Sequence, residues 1–260
     1  MQSPPIIKNT EIKEKCCAIC GELIWRDDGM YETSYDCKCV VELRKKERLE
    51  KEIKRYSEIS SFEKGFKNNT FELDKSENAR QETYMRRALK FAKNIELIKQ
   101  NKSRCGILLC GETGTGKTYL ESAVVNQLHN QGNKVIMFKL TKYISMIKAD
   151  FGNINNDTEK RLLELIKEVD LVIIDDIGSE QLKDRTGWTM EKVYNLIDCI
   201  YESETAIIIS TNNEVNYLEE HLKFNKSNKI MSRLQQMCEY FIFDWNSRRV
   251  KEKNKSEKLF

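Results

Sequence analysis

An α/β fold with a mostly parallel sheet covered on both faces by helices, preceded by a small cysteine-rich module, is what this sequence predicts. Three observations carry that expectation. Short apolar runs alternate with helical periodicity from about residue 107 onward, a glycine-rich turn joins the first such run to the helix after it, and five cysteines are confined to residues 16–39. Parallel strands are buried on both faces, so they read as continuous Val/Ile/Leu runs rather than as alternating ones. The 260 residues are enough for one α/β domain of about 150–200 residues plus a smaller module.

Residues 1–40 hold the cysteine module. Residues 41–58, VELRKKERLEKEIKRYSE, alternate both charge signs and contain neither Gly nor Pro, which predicts a solvated helix with Leu49, Ile53 and Tyr56 as a thin apolar stripe. A spacer is the plain reading of this helix and a partner-binding helix the alternative. The division expected is therefore 1–58 for the module with its charged helix, and 59–260 for the α/β domain. Within the latter, Ile107–Cys110 is the first strand. A helix follows with Leu120, Ala123, Val124 and Leu128 on one face. Val135–Phe138, Leu171–Ile174, Ala206–Ile209 and Tyr240–Phe243 are four further buried strands, with helices around 141–149, 158–168 and 188–203. Ligands of such sheets sit at the carboxyl ends of the strands.

Composition narrows the classes. Apolar residues make up 40% and charged residues 33%, as in a globular protein. No apolar run approaches the roughly 20 residues needed to cross a bilayer. The opening MQSPPIIKNTEIKEK lacks the apolar core of a secretory signal, so a cytoplasmic location is expected. In a reducing cytosol the clustered cysteines read as a metal site. Cys105, Cys110, Cys199 and Cys238 read as small core residues. A net charge of +3 neither demands nor excludes nucleic acid.

Gly111-Glu112-Thr113-Gly114-Thr115-Gly116-Lys117-Thr118 satisfies GxxxxGK[ST] between a strand and an amphipathic helix. Glycines let the backbone wrap the phosphates of ATP, so that N–H groups and a helix N-terminus face the negative charge. Lys117 is expected on the β and γ phosphates and the Thr118 hydroxyl in the magnesium shell. Leu171–Ile174 then delivers two acids at a strand end. Asp175 is placed to hold magnesium, and Asp176 to orient or deprotonate the attacking water.

The order of motifs from about Phe71 to Arg249 resembles the AAA+ helicase loaders of the DnaC/DnaI family, including phage versions, and the related IstB transposition ATPases. Ile208-Ile209-Ser210-Thr211-Asn212-Asn213 looks like the sensor 1 strand, whose polar end reads the γ-phosphate or positions water; Asn212 is the residue expected there, with Asn213 as the alternative. Met231-Ser232-Arg233-Leu234 looks like the family's SRL segment, whose arginine reaches the neighbouring subunit's nucleotide. Phe243-Asp244-Trp245-Asn246-Ser247-Arg248-Arg249 resembles the terminal W-x-S-Y-R pattern, making Arg249 the sensor 2 residue with Arg248 as the alternative. The resemblance implies an AAA+ P-loop sheet, ATP hydrolysis, self-association, a DnaB-type hexameric helicase as partner and contact with single-stranded DNA. Phe138-Lys139-Leu140-Thr141-Lys142-Tyr143 offers the basic and aromatic residues for that contact, an ordinary amphipathic helix start being the other reading. The tail from 248 to 260, with six Lys/Arg against two Glu, is a further basic element. Two departures stand out: Asp176 is one methylene shorter than the glutamate of most AAA+ proteins, which fits a slow switch, and Arg248 stands where tyrosine is common.

Cys17-x2-Cys20 and Cys37-x-Cys39 offer four thiolates to a tetrahedral zinc, with Cys16 as the alternative to Cys17. Trp25, Tyr31 and Tyr35 between them predict a small hairpin. Loaders of this family often carry such a module and dock the helicase through it, whereas IstB proteins typically lack it. The leading expectation is an ATP-dependent helicase loader. The rivals are an IstB-like transposition ATPase, a P-loop kinase of small metabolites, and a zinc-dependent nucleic-acid binder with a vestigial ATPase.

Overall fold

The computed structural model describes residues 12–28, 31–59, 68–74, 76–101, 106–150, 157–178, 187–223 and 226–247. The chain divides into two compact units, Met1–Glu52 and Ile53–Phe260.

In the first unit, β1 (Lys13–Cys16), β2 (Leu23–Asp27) and β3 (Glu32–Ser34) form an antiparallel sheet in that order. The hairpin of β2 and β3 pairs Trp25 with Ser34 and Asp27 with Glu32. Helix α1 (Lys38–Ile59) starts directly after Cys37, and Leu49 on it is buried. Three short strands and one helix bury little apolar surface, so a module of this size needs a second source of stability.

The second unit opens with α2 (Ala79–Lys93), capped by Asn78, whose side chain accepts from the Gln81 N–H at 2.9 Å, and continues with α3 (Ile95–Asn101). The sheet comprises β4 (Gly106–Gly111), β5 (Val135–Lys139), β6 (Leu171–Asp175), β7 (Ala206–Thr211) and β8 (Cys238–Phe243). Its order is β5-β6-β7-β4-β8 and every neighbouring pair is parallel. The helices α4 (Lys117–Asn130), α5 (Leu140–Ala149), α6 (Thr158–Ile166), α7 (Trp188–Ser203), α8 (Val215–His221) and α9 (Lys229–Met237) occupy the connections. All five predicted strands are present, and four of them, β4 to β7, are buried along nearly their whole length, as their unbroken apolar runs require. Ile107, Leu109, Leu120, Val124, Ile173, Ile208 and Phe241 share one core with Ala88 and Ala92 of α2. Each large side chain there contributes about 1.5–3 kcal/mol by leaving water.

Three details differ from the sequence expectation. Strand β8 begins at Cys238, directly after Met237 of α9, with no turn residue to mark the change. Phe138 and Tyr143 are 3% and 1% exposed and pack on each other with ring centroids 5.8 Å apart. Neither ring can therefore stack on a base; both serve the core, and only Lys139 and Lys142 of that segment are exposed. Cys110 and Cys238 are buried as expected, but Cys199 is only half-buried. Cys105 and the basic tail lie outside the described residues. Among the described residues no helix is long and apolar enough to cross a membrane.

Candidate functional site

The phosphate loop occupies the connection from β4 to α4. Gly111, Gly114 and Gly116 have φ of 151°, 85° and 107°, where a side chain is strained. Space decides Gly111 as well: a Cβ there would lie 2.3 Å from the carbonyl oxygen of Phe243 on β8. Gly116 caps α4, so the free N–H groups of the first helical turn open on the loop. The buried Thr115 donates its hydroxyl to Glu112 O at 2.8 Å, and Trp245 donates its indole N–H to Thr115 O at 2.8 Å. Both contacts brace the loop. Glu112 and Thr113 are exposed on its outer side, and Thr118 is half-buried in the first turn of α4.

Lys117 is buried, and its ammonium donates to Gly111 O at 2.6 Å, Glu112 O at 2.9 Å and Asn212 Oδ1 at 2.9 Å. Asn212 donates its Nδ2 to Asp176 Oδ1 at 2.8 Å. One amide thus bridges the phosphate-loop lysine and the second acid. Asn213 turns the other way and donates to Gly178 O at 3.1 Å. Asp175, at the end of β6, accepts from Ser210 Oγ at 2.8 Å, while Ser210 Oγ accepts from the Asp176 N–H at 3.3 Å. Asp176 adopts φ of 62°, which turns its side chain off the strand axis toward Asn212. Burial holds the Lys117 ammonium below the ordinary lysine range, opposed by Glu121, Asp175 and Asp176. Burial, then the charge of Asp175, pushes the Asp176 carboxyl up, and the Asn212 amide pulls it back. The structure therefore brings Lys117, Asp175, Asp176 and Asn212 together at the carboxyl ends of three adjacent strands. Arg233 is not in that set; its guanidinium pairs with Asp198 on α7. Arg248 and Arg249 lie outside the described residues.

Two residues here escaped the sequence reading. Ser210 lies on β7 two positions before Asn212, which follows the strand's last residue, and a polar residue ending an otherwise apolar strand beside the sensor asparagine was the available signal. Glu121 is fully buried one helical turn after Lys117, and among the described residues neither carboxyl oxygen meets a donor at full hydrogen-bonding geometry, although the Ser210 hydroxyl draws it toward the charged form. An acid among Leu120, Val124 and Leu128 on the inner face of α4 was the clue.

In the first unit the Sγ atoms of Cys17, Cys20, Cys37 and Cys39 all lie within 4.8 Å of one another, while Cys16 is exposed and outside the group. A tetrahedral zinc with Zn–S bonds of about 2.3 Å has sulfur–sulfur edges of about 3.8 Å, so the tetrad fits with a small contraction. Backbone N–H groups of Cys20 and Ile19 bring the Cys17 thiol down to about 7, while the neighbouring Cys20 pushes Cys39 up to about 12. Lys38 ties the two halves together: its N–H donates to Glu22 Oε2 at 2.8 Å and its Nζ lies 2.9 Å from Oε1.

A parallel sheet in the order β5-β6-β7-β4-β8, a phosphate loop after β4, acids ending β6 and a polar residue just past β7 define a P-loop nucleotide-binding protein of the AAA+ class. The chain belongs to the family of IstB-like ATP binding proteins, whose profile matches residues 31–256. It is 33% identical over 152 residues to the replicative helicase loader DnaC of Buchnera aphidicola subsp. Baizongia pistaciae, covering 58% of this chain and 59% of that one. It is 28% identical over 145 residues to the replicative helicase loader DnaC of Escherichia coli K12, covering 55% of each. The match thus spans a little over half the length of these two relatives. A crystal structure of the DnaC helicase loader superposes with a TM-score of 0.57 at 22% identity, over 69% of this chain and 98% of that one, and shares the fold. The family expected from the ordered motifs is the one found.

Proposed function

We propose that this chain is an ATP-dependent loader that places a DnaB-type replicative helicase on single-stranded DNA in the cytoplasm. The observation that carries the reading is the presence, in one chain, of an ATP site and a separate four-cysteine cluster. The similar proteins of Buchnera aphidicola and Escherichia coli are replicative helicase loaders, which supplies the helicase as the object of loading. Residues 1–58 act in this reading as a zinc-bound docking module, and 59–260 as the ATPase that self-associates.

The roles of the site residues follow from their chemistry. A phosphate oxygen in the cradle is a stronger partner for the Lys117 ammonium than the carbonyls of Gly111 and Glu112, because that hydrogen bond joins opposite charges. Gly111 to Thr118 supply backbone N–H groups around the phosphates of ATP. Thr118 and Asp175 offer the hard oxygen ligands that magnesium takes, and magnesium when bound neutralises charge on the phosphates. Ser210 fixes the orientation of Asp175. Asp176 accepts a proton from, or orients, the attacking water, and Asn212 passes the state of the phosphate site to it. Asp176 is a short acid, in keeping with a slow switch. Arg233 completes the site of a neighbouring copy, and Arg249 is the sensor 2 residue of its own. Cys17, Cys20, Cys37 and Cys39 hold zinc, because soft thiolate ligands select it over harder cations such as magnesium.

Capture of a replicative helicase from the native host, with and without ATP, tests the reading. ATP-dependent capture is the expected result. A chain that ignores every helicase offered but stimulates a transposase would replace it with the IstB-like alternative. Subunit mixing tests the arginine: Arg233→Ala with Lys117→Ala should recover part of the turnover that each alone lacks. No recovery at any ratio in verified assemblies would place Arg233 outside the catalytic interface.

A further inference from the structure

Helix α7 carries Tyr194, Asp198 and Tyr201 at intervals of four and three residues, hence on one stripe of its surface. That stripe receives Arg233 from α9. The guanidinium ion-pairs with the Asp198 carboxylate and lies over both rings, 4.8 Å from the centroid of Tyr194 and 5.4 Å from that of Tyr201. Tyr201 is fixed in turn, its hydroxyl donating to Gln236 Oε1 at 2.8 Å. The Arg233 side chain is only 19% exposed, although it borders an open groove of about 520 Å³ lined by Lys229, Ser232 and Gln236. A planar guanidinium stacked on aromatic rings and paired with a carboxylate is held by direction as well as by charge.

We propose that Asp198 is the positioning residue for Arg233: with Tyr194 and Tyr201 it holds the guanidinium within its own chain, and a nucleotide phosphate of a neighbouring copy displaces it. Carboxylate and phosphate compete for the same N–H fork, so Arg233 cannot serve both fully at once. Asp198 therefore sets how readily assembly engages the arginine, and the two rings set the direction from which it leaves. This inference rests on the reading of Arg233 as acting on a neighbour's site.

The test uses the full chain with magnesium and ATP, recording turnover against chain concentration and, separately, the thermal midpoint. With a third of the Asp198 side chain still exposed, the pair is worth up to about 1 kcal/mol, so Asp198→Asn should reach half-maximal turnover at about two- to five-fold lower chain concentration. Asp198→Glu should restore the native curve, and Asp198→Ser serves if the asparagine variant folds poorly. A lowered thermal midpoint with an unchanged or higher half-maximal concentration would make Asp198 a mere staple between α7 and α9 and overturn the proposal. Arg233→Ala separates the two ideas. If it leaves turnover intact, the reading of Arg233 fails; if it abolishes turnover while the Asp198→Asn curve matches the native one, only the positioning role fails.

Discussion

Lys117 spends its three protons on Gly111 O, Glu112 O and Asn212, all of them ligand-facing or loop groups rather than core. Lys117→Ala should therefore leave the thermal midpoint nearly unchanged while weakening ATP binding by roughly 10²–10⁴-fold, since two hydrogen bonds to charged groups are worth about 1.5–3 kcal/mol each. Nucleotide titration reads this directly. Asp176→Asn should keep binding and lose hydrolysis; unchanged phosphate release would remove Asp176 from the chemistry. Glu121 makes a different prediction. Burial first, then the charge of Asp175, pushes its carboxyl well above the usual range. The folded state thus holds a proton that the unfolded chain releases above about pH 4.3, so the stability contribution falls as pH rises from there toward the folded value. Glu121→Gln removes that slope. Its thermal midpoint relative to native protein should climb between pH 5 and pH 8, by about 2–4 °C for each kcal/mol of linkage. A difference independent of pH would show that Glu121 carries no such proton.

At the scale of elements, the cysteine tetrad gathers the turn after β1 and the start of α1, and it is the part of the first unit with the means to hold it together. Cys37→Ser/Cys39→Ser leaves two thiolates, which cannot close a tetrahedral site. Metal analysis should fall from about one zinc per chain to none, with loss of the β1–β3 sheet, because structural zinc supplies ~10–16 kcal/mol. ATP binding should persist. The elements also show where pattern reading stops. The segment Phe138 to Tyr143 has the composition of a nucleic-acid contact, yet both aromatic rings are buried and only the lysines between them remain at the surface. Composition specifies what a residue is able to do, whereas the handedness of β5 running into α5 decides which side of the sheet it occupies.

For the whole molecule, the two units make separate predictions. A chain beginning near Ser60 keeps the entire five-stranded sheet with its own core and should bind ATP with native affinity, yet fail to capture helicase. Capture and loading by that shortened chain would remove the docking role from residues 1–58. The sequence by itself determined the strands, because a parallel sheet buried on both faces demands unbroken apolar runs. It also determined the phosphate loop and its two acids, because that chemistry requires fixed residues at fixed spacing. The four cysteines were legible for the same reason. What lay beyond it were contacts between residues far apart in the chain. Asn212 rather than Asn213 reaches Lys117 because β7 and β4 are neighbours in the sheet. Ser210 holds Asp175 because β6 is the next strand over. Asp198 takes Arg233 because α7 and α9 pack together. Periodicity reports which face of an element is apolar, but only the packing of elements decides which polar groups on those faces meet.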